Sequence, residues 1–154
     1  MPDIRRSAPR ETRLTRRVAA VLTVETKGRG FTDLTREVAA FLAETGAGHG
    51  EVSLFCRHTS ASLTIQENAD PDVRTDLVTA LDRLAPEDAG WVHTLEGPDD
   101  MPAHVKAMLT GISLAVPVMG GRMALGTWQG LYLIEHRARS HRRELVVAFV
   151  GEAY

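Results

Sequence analysis

Residues 112–150 read ISLAVPVMGGRMALGTWQGLYLIEHRARSHRRELVVAFV, and this stretch decides the fold. Four short apolar runs stand out, Ile112 to Val118, Met123 to Leu125, Leu131 to Ile134 and Leu145 to Val150. They are rich in β-branched residues, too short for helices, and separated by glycine or charged turns, so each predicts a strand. Gly120-Gly121 fits a hairpin turn. Strands that follow one another with no helix between them pair antiparallel, which argues against a doubly wound parallel sheet.

Upstream, Asp99-Asp100-Met101-Pro102 opens a helix that runs through Leu109 to Gly111, with two acids at the positive end of its dipole. Asp70-Pro71 opens another, a capping side chain followed by proline at the first helical position. Val73, Leu77, Leu81 and Leu84 continue it as an apolar stripe, and Pro86 lies beyond its end. Gly50 to Phe55 and Leu63 to Ile65 predict strands, as does the first run, Val18 to Val24. Gly28 and Gly30 make a turn, after which Thr32 or Asp33 caps a helix carrying Leu34, Val38, Phe41 and Leu42 up to Gly46. The order is one strand, a helix, two strands, two helices and about four strands. That is an α+β fold, a single domain with a largely antiparallel sheet and about three helices.

The chain has 154 residues, 44% hydrophobic and 25% charged, values of a globular domain. Its net charge of -2 is unevenly spread. Arg5, Arg6, Arg10, Arg13, Arg16 and Arg17 make the start basic, and residues 1–16 read as an Arg-rich arm ahead of a domain at 17–154. The remainder is acidic, which argues against a nucleic-acid partner. No apolar stretch approaches the ~18 residues of a spanning helix or follows the arm at signal-peptide distance, so no membrane partner and a cytoplasmic location are expected. The lone Cys56 excludes a disulfide framework.

Three of the six histidines keep unusual company. His58 ends a strand, His93 sits in a loop before Glu96-Gly97-Pro98-Asp99-Asp100, and His104 lies near the start of the third helix. Imidazoles from three elements can converge as a catalytic zinc site requires, with a fourth position open. Glu96 and Asp100 are available as a further ligand, an orienting group or a general base. The alternative is that His93 and His104 are polar residues around a helix cap and that His58 satisfies a strand end. Thr59, Ser60, Ser62 and Thr64, beside Arg57, either hold a phosphate or line the exposed face of a strand. Glu67, Asn68, Asp70 and Asp72 offer oxygens for a hard cation, although part of that cluster is explained by the helix start. Trp128 and Gln129, bracketed by Gly126 and Gly130, let the backbone approach a ligand or a second chain closely, and Trp128 could equally fill a core or interface. His136 to Arg143 is a basic run that reads as a solvated hairpin loop. Cys56 and His58 point the same way along a strand, a thiol pair without an orienting third group.

Three segments together resemble a known family. His58-Thr59-Ser60-Ala61-Ser62-Leu63-Thr64-Ile65-Gln66-Glu67-Asn68-Ala69-Asp70-Pro71-Asp72-Val73 is similar to the central signature of the YjbQ family, also called UPF0047. A second match is His93 with Glu96-Gly97-Pro98-Asp99-Asp100-Met101-Pro102-Ala103-His104-Val105-Lys106, and a third is Leu125-Gly126-Thr127-Trp128-Gln129-Gly130-Leu131-Tyr132. With Gly30 to Thr35 these stand in family order, while the Arg-rich start lies outside the match and Gln66 replaces a usual Asn. The resemblance implies a small α+β fold, a homotrimer, and a histidine cluster at His58, His93 and His104 with Glu96 close by. It also implies weak thiamine-phosphate synthase activity, as associated with some members.

The expectation is therefore a pocket that binds a divalent metal (zinc, or magnesium as the alternative) or a phosphate and acts as a transferase or hydrolase on a small phosphorylated metabolite. His58, His93 and His104 hold the metal, Glu96 and His104 are catalytic, and Thr59, Ser60, Trp128 and Gln129 contact substrate. The competing reading is a non-catalytic trimeric module that captures a metabolite or an ion.

Overall fold

Cross-strand pairing extends the apolar runs well beyond their hydrophobic centres. In this computed structural model, which describes all 154 residues, the first strand β1 (Arg16–Glu25) lies along the last, β8 (Arg142–Ala153). Their register runs unbroken from Arg16 opposite Gly151 to Glu25 opposite Arg142. The other side of β8 takes β3 (Ala47–Cys56), and β5 (Ser113–Met119) with the two-residue β6 (Arg122–Met123) completes a sheet of order β1-β8-β3-β5-β6. A second sheet joins β2 (Gly30–Asp33), β7 (Gln129–Glu135) and β4 (Ala61–Glu67) in the order β2-β7-β4. Every pairing is antiparallel, as the consecutive strands of the last third require.

The core fills the space between the two sheets. Val52, Leu54, Val116, Leu145, Val147 and Phe149 face Leu63, Leu131 and Leu133, and α1 (Thr35–Glu44) adds Val38, Phe41 and Leu42. Fully burying each such side chain is worth about 1.5–3 kcal/mol. Side-chain alternation turns Tyr132 and Ile134 to the opposite face of β7, where α2 (Pro71–Leu84) and α3 (Asp100–Thr110) cover them. The outer face of the five-stranded sheet carries no helix. Val21, Val146 and Phe55 lie in one row across it, and Val21 and Phe55 are about half exposed.

The start of α2 forms as read: Asp70 Oδ1 accepts from the Asp72 N–H at 2.9 Å with Pro71 next in line, and Glu67 Oε2 accepts from the N–H groups of Ala69 and Asp70. Its stripe is only half-buried, and Leu84 is exposed. Three readings need correction. Gly30 to Asp33 is the short edge strand β2, paired to β7, so α1 begins only at Thr35. Ser62, on the strand read as hydroxyl-lined and exposed, is fully buried and hydrogen-bonded to His136 at 2.8 Å. The basic run is not a solvated loop: His136, Arg137 and Arg143 are buried, because each meets a partner supplied from elsewhere in the chain.

Candidate metal centre

The site grows from one guanidinium. Arg137 follows β7 and donates from Nη1 to Asp100 Oδ1 at 2.7 Å, from Nε to Asp99 Oδ2 at 3.0 Å and from Nη2 to the Glu96 carbonyl at 2.8 Å. The two acids that open α3 therefore do not cap it, and Asp99 makes no side-chain cap bond. They fasten the helix start and the preceding loop to the end of the central strand. Asp99, further held by the Ala138 N–H, pays a burial penalty that these contacts more than offset, and its pKa falls to about 2. Burial likewise pushes Asp100 up, but the hydrogen bond from His93 and the charges of His104 and Arg137 leave it below the usual carboxylate range.

With Oδ1 taken by Arg137, Asp100 presents Oδ2 to two histidines. His93 Nε2 lies 2.7 Å from it and His104 Nε2 3.0 Å. Asp100 and His104 are one helical turn apart, so they share a face of α3 by construction. His104 Nδ1 donates to the Thr59 carbonyl at 2.8 Å, which places one hydrogen on Nδ1 and turns Nε2, as donor or as lone pair, to a carboxylate oxygen. Two acceptors facing one another require a proton or a cation between them. The three ligand atoms lie within 4.8 Å of one another. Asp100 is buried, while the side chains of His93 and His104 are 40% and 32% exposed, so the cluster opens to solvent on the imidazole side.

His58 does not join this group. Its Nε2 accepts from the Glu144 N–H at 2.8 Å, so the lone pair a metal would need is already used. Burial, then the charge of Arg143, lowers its pKa and keeps the ring neutral in that role. It stays beside the centre, lining with Thr59, His104, Met108 and Ile112 a cavity of about 390 Å³. Glu96 offers its carbonyl to Arg137, and its exposed carboxylate makes no hydrogen bond or ion pair. Thr59 contributes its carbonyl to His104 and lines the same cavity. Ser60 is buried and its hydroxyl accepts from Arg143 Nη2 at 3.0 Å.

Trp128 and Gln129 sit at the far end of β7 from His136 and Arg137, the length of a seven-residue strand and roughly 20 Å or more away, so one chain does not bring them to the histidines. Gln129 Oε1 accepts from the Gly126 N–H at 2.8 Å, and Trp128 is 64% exposed. Cys56 is buried, donates to the Ala61 carbonyl at 3.6 Å, and has its pKa raised by burial, which removes it as a nucleophile. Asp100 was readable as an acid one turn before a histidine; Arg137 and the Thr59 carbonyl carried no local signal.

A two-sheet α+β domain with a His-Asp-His cluster at the start of a helix is the class defined by these features. The profile of the UPF0047 protein YjbQ-like family matches residues 20–152, and the chain belongs to that family. A UPF0047 protein of Synechocystis, sll1880, is 47% identical over 133 residues, covering 86% of this chain and 90% of that one. The UPF0047 protein YjbQ of Salmonella typhimurium is 43% identical, covering 85% and 96%. Among solved structures, the conserved hypothetical protein TT1486 of Thermus thermophilus superposes with a TM-score of 0.75 at 41% identity, covering 83% and 97%. An uncharacterized YjbQ/UPF0047 protein of Clostridium acetobutylicum reaches 0.79 at 36%, covering 84% and 98%. No helix of the chain is long and apolar enough to cross a membrane.

Proposed function

We propose that His93, Asp100 and His104 bind a divalent metal ion and that the protein uses it on a small phosphorylated metabolite, as a hydrolase or transferase. The carrying observation is the placement of His104 Nε2, oriented by the Thr59 carbonyl, and of His93 Nε2 around the one free oxygen of Asp100. Two imidazole nitrogens and one carboxylate oxygen suit zinc; magnesium prefers oxygen ligands. When bound, the ion polarises a phosphoryl or carbonyl oxygen. The adjoining cavity has no Lys or Arg in its lining, so substrate charge there falls to the ion. Arg137 orients Asp100, Thr59 orients His104, and Glu96, which no other side chain holds, remains the candidate proton carrier. Thiamine-phosphate synthase activity, in this reading, is a weak side reaction of the same pocket.

The homotrimer belongs to the proposal. Its support is the bare apolar face of the larger sheet and the exposed Val92 and Leu95 beside His93. A solution mass of one 16.8 kDa subunit would remove it.

Zinc titration of metal-stripped protein tests the site. The unsubstituted protein is expected to bind one ion per chain, and His93→Ala, His104→Ala and Asp100→Asn each to weaken binding by at least tenfold with the fold intact. Equal affinity in all four proteins refutes the assignment. If zinc binds but no phosphorylated substrate turns over, the binding-module reading replaces the enzymatic one.

A further inference from the structure

A second site lies away from the histidines, in the groove between β2 and α2. This cavity of about 460 Å³ is lined by Arg29, Phe31, Arg74, Thr75 and Val78, with no acid in its lining. Its volume falls in the range of small-molecule sites.

Neither arginine has a carboxylate to itself. Arg74 makes no ion pair. It is held over the Tyr132 ring at 5.3 Å, and Nη1 donates to Tyr132 Oη at 3.2 Å and to the Glu67 carbonyl at 3.3 Å. Its Nε and Nη2 donors have no partner within the chain. The acids nearest Tyr132 are already engaged with backbone N–H groups, Asp33 with that of Thr35 and Glu67 with those of Ala69 and Asp70. Arg29 reaches Asp82 Oδ1 at 3.2 Å, but the same oxygen also receives the buried Lys106, so one carboxylate serves two cations. The groove thus holds one guanidinium without an ion pair and one that shares its carboxylate, with no acid in the lining. Guanidinium donors in a fixed fork match phosphate oxygens. Phe31, set edge-on against Tyr132 with centroids 5.8 Å apart, and Val78 give the groove an apolar wall.

We infer that the β2–α2 groove binds a small phosphomonoester, its phosphate between Arg29 and Arg74 and its ring or apolar body against Phe31 and Val78. The site is separate from the histidine centre and does not depend on metal there.

The test is an NMR titration of ¹⁵N-labelled, chelator-treated full chain with AMP as probe, and with adenosine as the uncharged control. AMP is expected to shift the amides of Gly30, Phe31, Thr75 and Thr79, and adenosine is not. Arg74→Gln and Arg29→Gln are each expected to weaken AMP by about tenfold or more, the scale of one charge-assisted hydrogen bond. Arg29→Gln leaves Asp82 paired with Lys106, so this variant keeps its fold even if Arg74→Gln loses it. His93→Ala, which removes a ligand of the proposed metal centre, leaves AMP affinity unchanged, so the two sites fail or stand independently. No shift in the groove, the same affinity in Arg29→Gln, or binding as tight for adenosine overturns the proposal.

Discussion

Arg137 and Arg143 are the first and last arginines of the same basic run, both are buried, and both hold carboxylates, yet they do different work. Arg143 donates from Nε to Glu135 Oε1 at 2.9 Å, pairs with Oε2 through Nη2, and also reaches both oxygens of Ser60. Thr26 donates to the same carboxylate at 2.7 Å. Glu135 is 2% exposed, and these partners more than offset the burial that would otherwise raise its pKa. Both oxygens of Glu135 are consumed inside the fold. Arg137 instead uses one oxygen of Asp100 and leaves the other facing two partly exposed imidazoles. A buried ion pair serves a site when it leaves a ligand atom unspent, and serves only the fold when it does not.

Substitution should separate the two. Removing one partner of a buried pair leaves an uncompensated charge and costs about 3–5 kcal/mol. Arg143→Met is therefore expected to lower stability by that amount in denaturant unfolding, with zinc affinity of the folded protein unchanged. Arg137→Met should cost less stability, because Asp100 keeps His93 and His104 and Asp99 is partly reached by water, but should weaken zinc about 10–100-fold by releasing Asp100. The comparison breaks if Arg143→Met loses metal affinity or Arg137→Met keeps it.

A smaller effect sharpens the same contrast. His136, between Glu135 and Arg137, is buried, and burial with the charge of Lys106 lowers its pKa from 6.5 to about 4. The folded protein thus holds fewer protons on this residue than the unfolded chain between about pH 4 and 6.5, so its contribution to stability falls as pH drops through that window. Unfolding free energy measured across it should decline less steeply in His136→Gln than in the unsubstituted protein. Parallel slopes would show that His136 does not titrate as its burial requires.

What could be read from the chain follows how local each signal is. The Asp70-Pro71 start of α2 and the succession of apolar runs in the last third depend on neighbours in sequence, and both form as expected. So does the start of α3, although Asp99 and Asp100 serve Arg137 rather than the helix dipole. β2 escaped because four residues with a glycine, a threonine and an aspartate look like a turn; only the partner strand makes them a strand. The burial of Arg137 and Arg143 was illegible for the same reason, since Asp99 and Glu135 become their partners only in three dimensions. His58 illustrates the limit for the site: its position beside the cluster agrees with a ligand, but the Glu144 amide that occupies its nitrogen is 86 residues away.

The central claim is that one ion belongs among His93, Asp100 and His104. Crystals grown with zinc and measured on both sides of its absorption edge locate that ion directly. The expected result is one anomalous peak per chain within ~2.0–2.2 Å of His93 Nε2, His104 Nε2 and Asp100 Oδ2. A peak on His58, or none at the cluster while zinc is bound elsewhere, would contradict it.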